Sequence, residues 1–153
     1  MNCWYTFWRE IYRNRVIHAQ KSCRRRHPSA QAIRSSVLEN ILGDPSRVTD
    51  SDYEWYVNNP GVAVWEESGA IVGFSAADPR DGGIWALFVT PGFEGKGIGS
   101  HLLAEACACL KSAGVERAWL TTDPNTRAER FYRATGWRHV GERDNELLFE
   151  RSL

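Results

Sequence analysis

The fold class that the sequence predicts is α/β, built on a mixed sheet, and three observations predict it. The run GGIWALFVTP is continuously apolar and ends at Pro91, as a central strand buried on both faces does. A glycine-rich loop, an amphipathic helix and a further strand, ERAWLTTD, follow it, and a strand–helix–strand unit brings its second strand back parallel to the first. Short strand pairs with tight turns lie on either side of this unit, so hairpins flank the parallel crossover. A length of 153 residues is enough for one such domain with a core of its own.

The elements follow in order. Residues 1–28 form a basic, aromatic N-terminal extension with seven Arg or Lys and one acid, Glu10. Trp4, Phe7, Trp8, Ile11 and Tyr12 fall at helical spacing, which predicts a helix packed on the domain or a loosely ordered appendage. The arginine-rich, acid-poor character also fits a transit peptide or an amphipathic helix for a membrane surface or partner. RVIHA within it is a poor strand. From Ser29, Ala32, Ile33, Val37, Leu38 and Ile41 recur at three-four spacing and Gly43 stops the helix. Thr49 and Asp52 open a second, short helix with a capping-box-like start. VAVWEE and AIVGFSAAD are strands joined at Ser68-Gly69. A helix from about Gly97 to Ala113 shows its apolar stripe at Ile98, Leu102, Leu103, Ala106 and Leu110, and Gly114 ends it. NTRAERFYRAT is a helix opened by Asn125 and closed by Gly136, and WRHVGE with ELLFERS is a final strand pair.

Composition narrows the function classes. Formal net charge is zero, so whole-molecule charge gives no pointer to nucleic acid. No apolar run reaches the ~18 residues of a membrane-spanning helix. The four cysteines are Cys3, Cys23, Cys107 and Cys109. The last two are two apart on a predicted helix and point in different directions, which suits neither a mutual disulfide nor a zinc site. Free thiols in a reducing compartment fit better, and a cytoplasmic location is expected.

The stretch PGFEGKGIGSHLL poses the chemical question. Glycine disfavours helices, yet Gly97 and Gly99 stand where one begins. A helix start offers main-chain N–H groups without intrahelical partners at the positive end of the dipole, and glycine keeps Cβ atoms out of the way of a phosphate there. A P-loop needs Gly-Lys-Ser/Thr, whereas Lys96 precedes Gly97. A dinucleotide fingerprint needs G-x-G-x-x-G and an acid about twenty residues on, where Trp119 and Leu120 stand. Neither motif matches.

NTRAERFYRATGW places Asn125, Ala128, Phe131, Tyr132, Gly136 and Trp137 in the pattern N-x-x-A-x-x-F-Y-x-x-x-G-[FW]. With LFVTPGFEGKGIGSHLL, this closely resembles the GNAT superfamily of acyl-CoA-dependent N-acetyltransferases, over about Ala30 to Phe149. The resemblance implies a mixed, mostly antiparallel sheet with a central parallel pair splayed for acetyl-CoA and flanked by about four helices. It makes residues 29–153 the N-acetyltransferase domain. Its Q/R-x-x-G-x-G/A signature, which binds the coenzyme A pyrophosphate through main-chain N–H groups, falls on Glu94, Gly95, Lys96, Gly97, Ile98 and Gly99, with Ser100 following. Glu94 departs from the family's Gln or Arg, and a carboxylate there should weaken phosphate binding unless it turns to solvent or pairs with Lys96. The pantetheine is expected along the main chain of Leu87, Phe88 and Val89, with Asn125 contributing.

The same resemblance gives Tyr132 the role of general acid to the departing thiolate. The base is open: GGIWALFVTP has no ionisable side chain, and Asp78, Asp81, Asp123 and Glu39 are the candidates beside a water chain or an amine that arrives neutral. Arg47 could hold a substrate carboxylate, and Trp85, Trp119 and Trp137 could line an acceptor pocket, although tryptophans on strands more often pack in the core. The expected reaction is acetyl transfer from acetyl-CoA to a primary amine of a small-molecule acceptor, without a metal, through a direct ternary complex. Alternatives are acetylation of a protein amino group, or a non-catalytic acetyl-CoA sensor that docks a partner. A homodimer is compatible with the resemblance.

Overall fold

Among the described residues, seven strands make one sheet, and two helices pack beside the crossover at its centre. The computed structural model of the chain describes residues 61–153 and the backbone of residues 14–18. The strands are β1 (Asn14–His18), β2 (Val62–Glu67), β3 (Ala70–Asp78), β4 (Gly83–Val89), β5 (Arg117–Thr122), β6 (Arg138–Arg143) and β7 (Glu146–Ser152), and the helices are α1 (Ile98–Ser112) and α2 (Arg127–Ala134). Their order across the sheet is β1-β2-β3-β4-β5-β7-β6. All pairings are antiparallel except β4 with β5. The expected mixed, mostly antiparallel sheet with a central parallel pair is thus present. The helices expected over residues 32–41 and from Thr49 lie outside the described residues, as do Glu39, Arg47, the stripe Trp4–Tyr12, Cys3 and Cys23.

The expectation of a helical extension over residues 1–28 is corrected at Asn14–His18. That segment is an edge strand, in register with β2 from Asn14↔Glu67 to His18↔Ala63. RVIHA is a poor strand by its own sequence, and pairing along the edge of β2 makes it one; the helical spacing at Trp4–Tyr12 lies outside the described residues.

Local chemistry explains the other elements. β2–β3 and β6–β7 are joined by two-residue loops, Ser68-Gly69 and Asp144-Asn145, with all four residues at positive φ. Such primed turns match the twist of the strands they join. The α1 stripe Ile98, Leu102, Leu103, Ala106 and Leu110 is buried. It packs over Ala77, Ile84, Ala118, Leu120 and Phe149 toward β5 and β7, and over Ala63 and Val72 toward β2 and β3. Burial of each such leucine contributes roughly 1.5–3 kcal/mol. One polar link crosses this interface, from the buried Ser75 hydroxyl to the Leu102 carbonyl at 3.0 Å. A second cluster, Val62, Val64, Phe74, Ala76 and Ala86, is buried as well.

Candidate active site

The site begins with a single point of contact between the two parallel strands. β4 and β5 pair at Gly83↔Trp119, and the Trp119 amide donates to the Gly82 carbonyl at 3.0 Å. The strands meet there because Gly82 and Gly83 have no side chains. A Cβ on Gly82 would lie 2.7 Å from the Arg117 carbonyl oxygen, and one on Gly83 would lie 2.9 Å from the Trp119 ring. Beyond this point β4 pairs only with β3 and β5 pairs with β7, as far as Thr122↔Leu147. The β3–β4 register slips between Ala76↔Ala86 and Ala77↔Ile84, leaving Trp85 as an extra residue in β4. A bulge of this kind bends its strand. Pinned at one end and bent just after it, β4 diverges from β5, and its edge at Leu87–Val89 keeps main-chain groups unused by β5.

The loop after β4 turns at Pro91–Phe93, where the Phe93 amide donates to the Thr90 carbonyl at 3.0 Å. Gly97, at φ 82°, is the N-cap of α1, and no side chain caps the helix or places an acid in its first turn. The first bond into the helix is from the His101 amide to the Gly97 carbonyl, so the amides of Ile98, Gly99 and Ser100 have no main-chain acceptor among the described residues. Ile98 anchors the turn with a side chain only 2% exposed. A Cβ on Gly95 or Gly97 would meet nothing within 4 Å. Packing therefore does not demand these glycines. They supply the left-handed φ of the turn into α1.

α2 forms the facing wall. Its N-cap is Thr126, whose hydroxyl accepts from the Glu129 amide at 3.1 Å. Glu129 in turn accepts from the Asn125 amide at 2.7 Å and from Arg133 at 2.9 Å, which holds its carboxyl below the usual range. Between the walls lies a cleft of about 660 Å³. β4 contributes Leu87, Phe88 and Val89, the loop and α1 contribute Glu94, Gly95, Gly97, Gly99 and Ser100, and α2 contributes Arg127, Ala128, Phe131 and Tyr132.

Tyr132 is 6% exposed and sits among the rings of Phe131, Trp137 and Phe149, at centroid distances of 5.4, 6.1 and 6.1 Å. Its hydroxyl has no hydrogen-bond partner among the described residues. Burial pushes its pKa well above the ordinary phenol range, so it keeps its proton at neutral pH. The cleft thus combines the amides at the start of α1, a strand edge not paired with β5 and a protonated phenol. This donor set fits an extended, phosphate-bearing acyl carrier: the amides suit a pyrophosphate and the edge suits an amide-containing chain. Among the described residues, no group of three or more His, Cys, Asp or Glu could hold a metal ion, and no helix is long and apolar enough to cross a membrane.

Comparison with known proteins agrees with this geometry. The model of the acetyltransferase (GNAT) family matches residues 30–137. The chain belongs to the GNAT acetyltransferase family. An uncharacterized N-acetyltransferase of Mycobacterium tuberculosis is 30% identical over 108 residues, covering 67% of this chain and 69% of the relative. Another from Archaeoglobus fulgidus is 33% identical over 62% of this chain and 73% of its own length. The fold is shared with Ard1 from Thermoplasma volcanium, at a TM-score of 0.74 and 16% identity over 92% of this chain and 98% of that one. It is also shared with the PaiA N-acetyltransferase of Thermoplasma acidophilum in complex with coenzyme A, at a TM-score of 0.69 and 12% identity over 92% and 99%.

Within this GNAT cleft the residues singled out in the sequence divide. Leu87, Phe88, Val89, Glu94, Gly95, Gly97, Gly99, Ser100 and Tyr132 come together on its wall. The side chains of Lys96 and Ile98 and the residue Asn125 do not line it. The Lys96 ammonium stands 4.5 Å over the Phe93 ring. Asn125 is not the helix N-cap, which corrects the expectation: at φ 64° it takes a left-handed turn that asparagine tolerates, and Thr126 caps instead. Glu94 pairs not with Lys96 but with Arg127, at 3.0 Å, and accepts from the Gly92 amide at 2.6 Å. Its own main-chain amide, then Arg127, hold its carboxyl below the usual range.

None of the described base candidates lines the cleft. Asp78 is buried and takes the Arg80 guanidinium and main-chain amide. Asp81 accepts from the Gly83 amide at 2.8 Å, and the Asp123 carbonyl takes the Thr126 hydroxyl at 2.9 Å. Trp85, Trp119 and Trp137 do not line it either: Trp137 is buried in the core, and Trp119 donates to the Asp81 carbonyl under the Arg143 guanidinium.

Proposed function

We propose that the chain transfers the acetyl group of acetyl-CoA to a primary amine of a small-molecule acceptor, by direct attack within a ternary complex, in the cytoplasm. The observation that carries this reading is a phenol and the amides at the start of α1 on opposite walls of one cleft between diverging strands. The amides of Ile98, Gly99 and Ser100 would hold the pyrophosphate, and the edge of Leu87–Val89 would hold the pantetheine. Acetyl-CoA supplies the activated thioester; the amine nitrogen bonds to its carbonyl carbon as the carbon–sulfur bond breaks.

Tyr132 gives its proton to the departing sulfur. The nitrogen's surplus proton returns, through solvent, to the phenolate, so the residue is restored. Burial keeps the phenol protonated until negative charge develops on sulfur. None of the described base candidates lines the cleft, and the Glu94 carboxylate is taken by Arg127 and the Gly92 amide, so the amine enters unprotonated.

A second reading, an acetyl-CoA sensor without turnover, draws on the absence of any ionisable side chain in β4, GIWALFV. Release of free CoA separates the two. Acetyl-CoA with a panel of aliphatic, aromatic and peptidyl amines should yield CoA with at least one small amine. CoA release with peptides alone would support the protein-acetylating alternative. Tight binding without release across the panel would support the sensor.

A further inference from the structure

This inference rests on Tyr132 acting as the acid. The chain turns out of α2 at Gly136, φ 83°, so that the Gly136 amide donates to the Arg133 carbonyl at 3.3 Å and the Trp137 amide reaches back to the Tyr132 carbonyl at 3.0 Å. These two bonds make the Schellman ending of a helix, in which the residue after the glycine packs against the residue whose carbonyl it holds. Here those residues are Trp137 and Tyr132. Their rings meet edge to face, with centroids 6.1 Å apart and planes at 62°. The Thr135 amide and hydroxyl also lie 3.2 Å from the Tyr132 carbonyl, so the main chain that carries the phenol is held from both residues. Phe149, likewise 6.1 Å away, is a further ring against the phenol, and Tyr132 still reaches the cleft lining.

The helix ending does not need an indole for stability. Trp137 is 3% exposed, and its Nε1–H has no hydrogen-bond partner among the described residues. A buried donor without a partner destabilises a fold, and a phenylalanine would give an edge contact without one. What the indole adds is breadth against the phenol, and a broader neighbour leaves Tyr132 less room to turn.

We propose that Trp137 is a positioning residue for the Tyr132 hydroxyl. Its amide fixes the main chain of Tyr132 and its ring fixes the side chain. The phenol then stands ready at the thioester sulfur and does not have to be ordered in each turnover.

CoA release from acetyl-CoA, with the small amine of the panel that turns over fastest, tests this in wild type, Trp137→Phe, Tyr132→Phe and the double variant. Thermal unfolding verifies that each is folded. Trp137→Phe should keep its unfolding midpoint close to wild type, because loss of the unpaired donor offsets the lost contact. Its kcat should fall by roughly 10-fold while KM for acetyl-CoA hardly changes. In the Tyr132→Phe background the same substitution should leave kcat unchanged, since the group it positions is gone. In a chain with labelled tyrosine rings, the Tyr132 signal, assigned by its loss in Tyr132→Phe, should show faster ring flipping in Trp137→Phe. Wild-type kcat in Trp137→Phe, an equal loss in both backgrounds, or an unchanged flip rate overturns the positioning role. Wild-type turnover by Tyr132→Phe, or no CoA release by the wild type, overturns the acid reading instead, and the role of Trp137 falls with it.

Discussion

α1 and α2 begin in opposite ways. α2 is closed by its own side chains: Thr126 caps it, Glu129 sits in its first turn, and the Asn125 amide is taken by that glutamate. α1 starts at Gly97 with no side-chain cap and no acid, and among the described residues its first amides have no main-chain acceptor. Both helices follow strands of the same parallel pair, so the difference lies in local sequence. A helix start that stabilises only the fold uses its donors internally. One that leaves them unpaired lacks that stabilisation and suits an external anion. α2 thus offers the cleft side chains, whereas α1 offers it main chain.

The largest effect is expected on the α2 side. Tyr132→Phe keeps the ring and its packing, so the unfolding midpoint and acetyl-CoA affinity should hardly change. Turnover should fall by ~10²–10⁴, the usual worth of a positioned acid. Steady-state kinetics should show the loss in kcat as well as in kcat/KM for the amine. A more acidic leaving thiol should shrink it. Near-wild-type turnover, with chemistry rate-limiting, would reduce Tyr132 to a packing residue.

On the α1 side, Gly97→Glu sets a carboxylate and a Cβ before the open amides. Acetyl-CoA affinity should drop by more than about 100-fold in a folded chain. Unchanged calorimetric affinity would mean that α1 is open for some other reason.

Thr126→Ala inverts the comparison by opening the closed helix. Denaturant unfolding should show a loss of about 1 kcal/mol, and acetyl-CoA affinity should stay within about twofold. A large affinity loss with little change in stability would mean that the α2 start binds ligand as well.

The smallest effect concerns pH. The carboxyl of Glu94 is lowered in the folded chain, so its ionised form stabilises the fold. That stabilisation is present above the ordinary glutamate pKa and is lost as pH falls through the lowered folded value. Stability curves of wild type and Glu94→Gln should therefore separate slightly near neutrality and converge in acid. Most of the side chain's surroundings are solvent, so the gap should be small. A gap that widens in acid would contradict the sign.

Much of the fold was legible because its signals are local. The apolar run of β4, the turn residues of both hairpins and the α1 stripe each lie within a few residues. The glycines of the loop were legible for the same reason. β1 was not, because Asn14–His18 is a strand through its pairing with β2, some fifty residues away in sequence. The one-residue error at Asn125 arose because asparagine suits both a cap and a left-handed turn. The motif contained Ala128 and Phe131 without showing that they face the cleft. Arg127 was missed because its partner, Glu94, is 33 residues away and no local spacing links them. A base is not legible even with the structure, since the described carboxylates nearest the strand ends do not line the cleft.

The central claim is that the open start of α1 holds the phosphates of acetyl-CoA. Amide chemical-shift mapping of the labelled chain tests it most directly, by titration with acetyl-CoA and, separately, with a pantetheine thioester that lacks phosphates. With acetyl-CoA, the amides of Gly97, Ile98, Gly99 and Ser100 should shift most, and the capped amide of Glu129 should shift little. With the pantetheine thioester, the Leu87–Val89 amides should still respond while those at the start of α1 stay in place. Acetyl-CoA binding that leaves the Gly97–Ser100 amides unmoved would contradict the account.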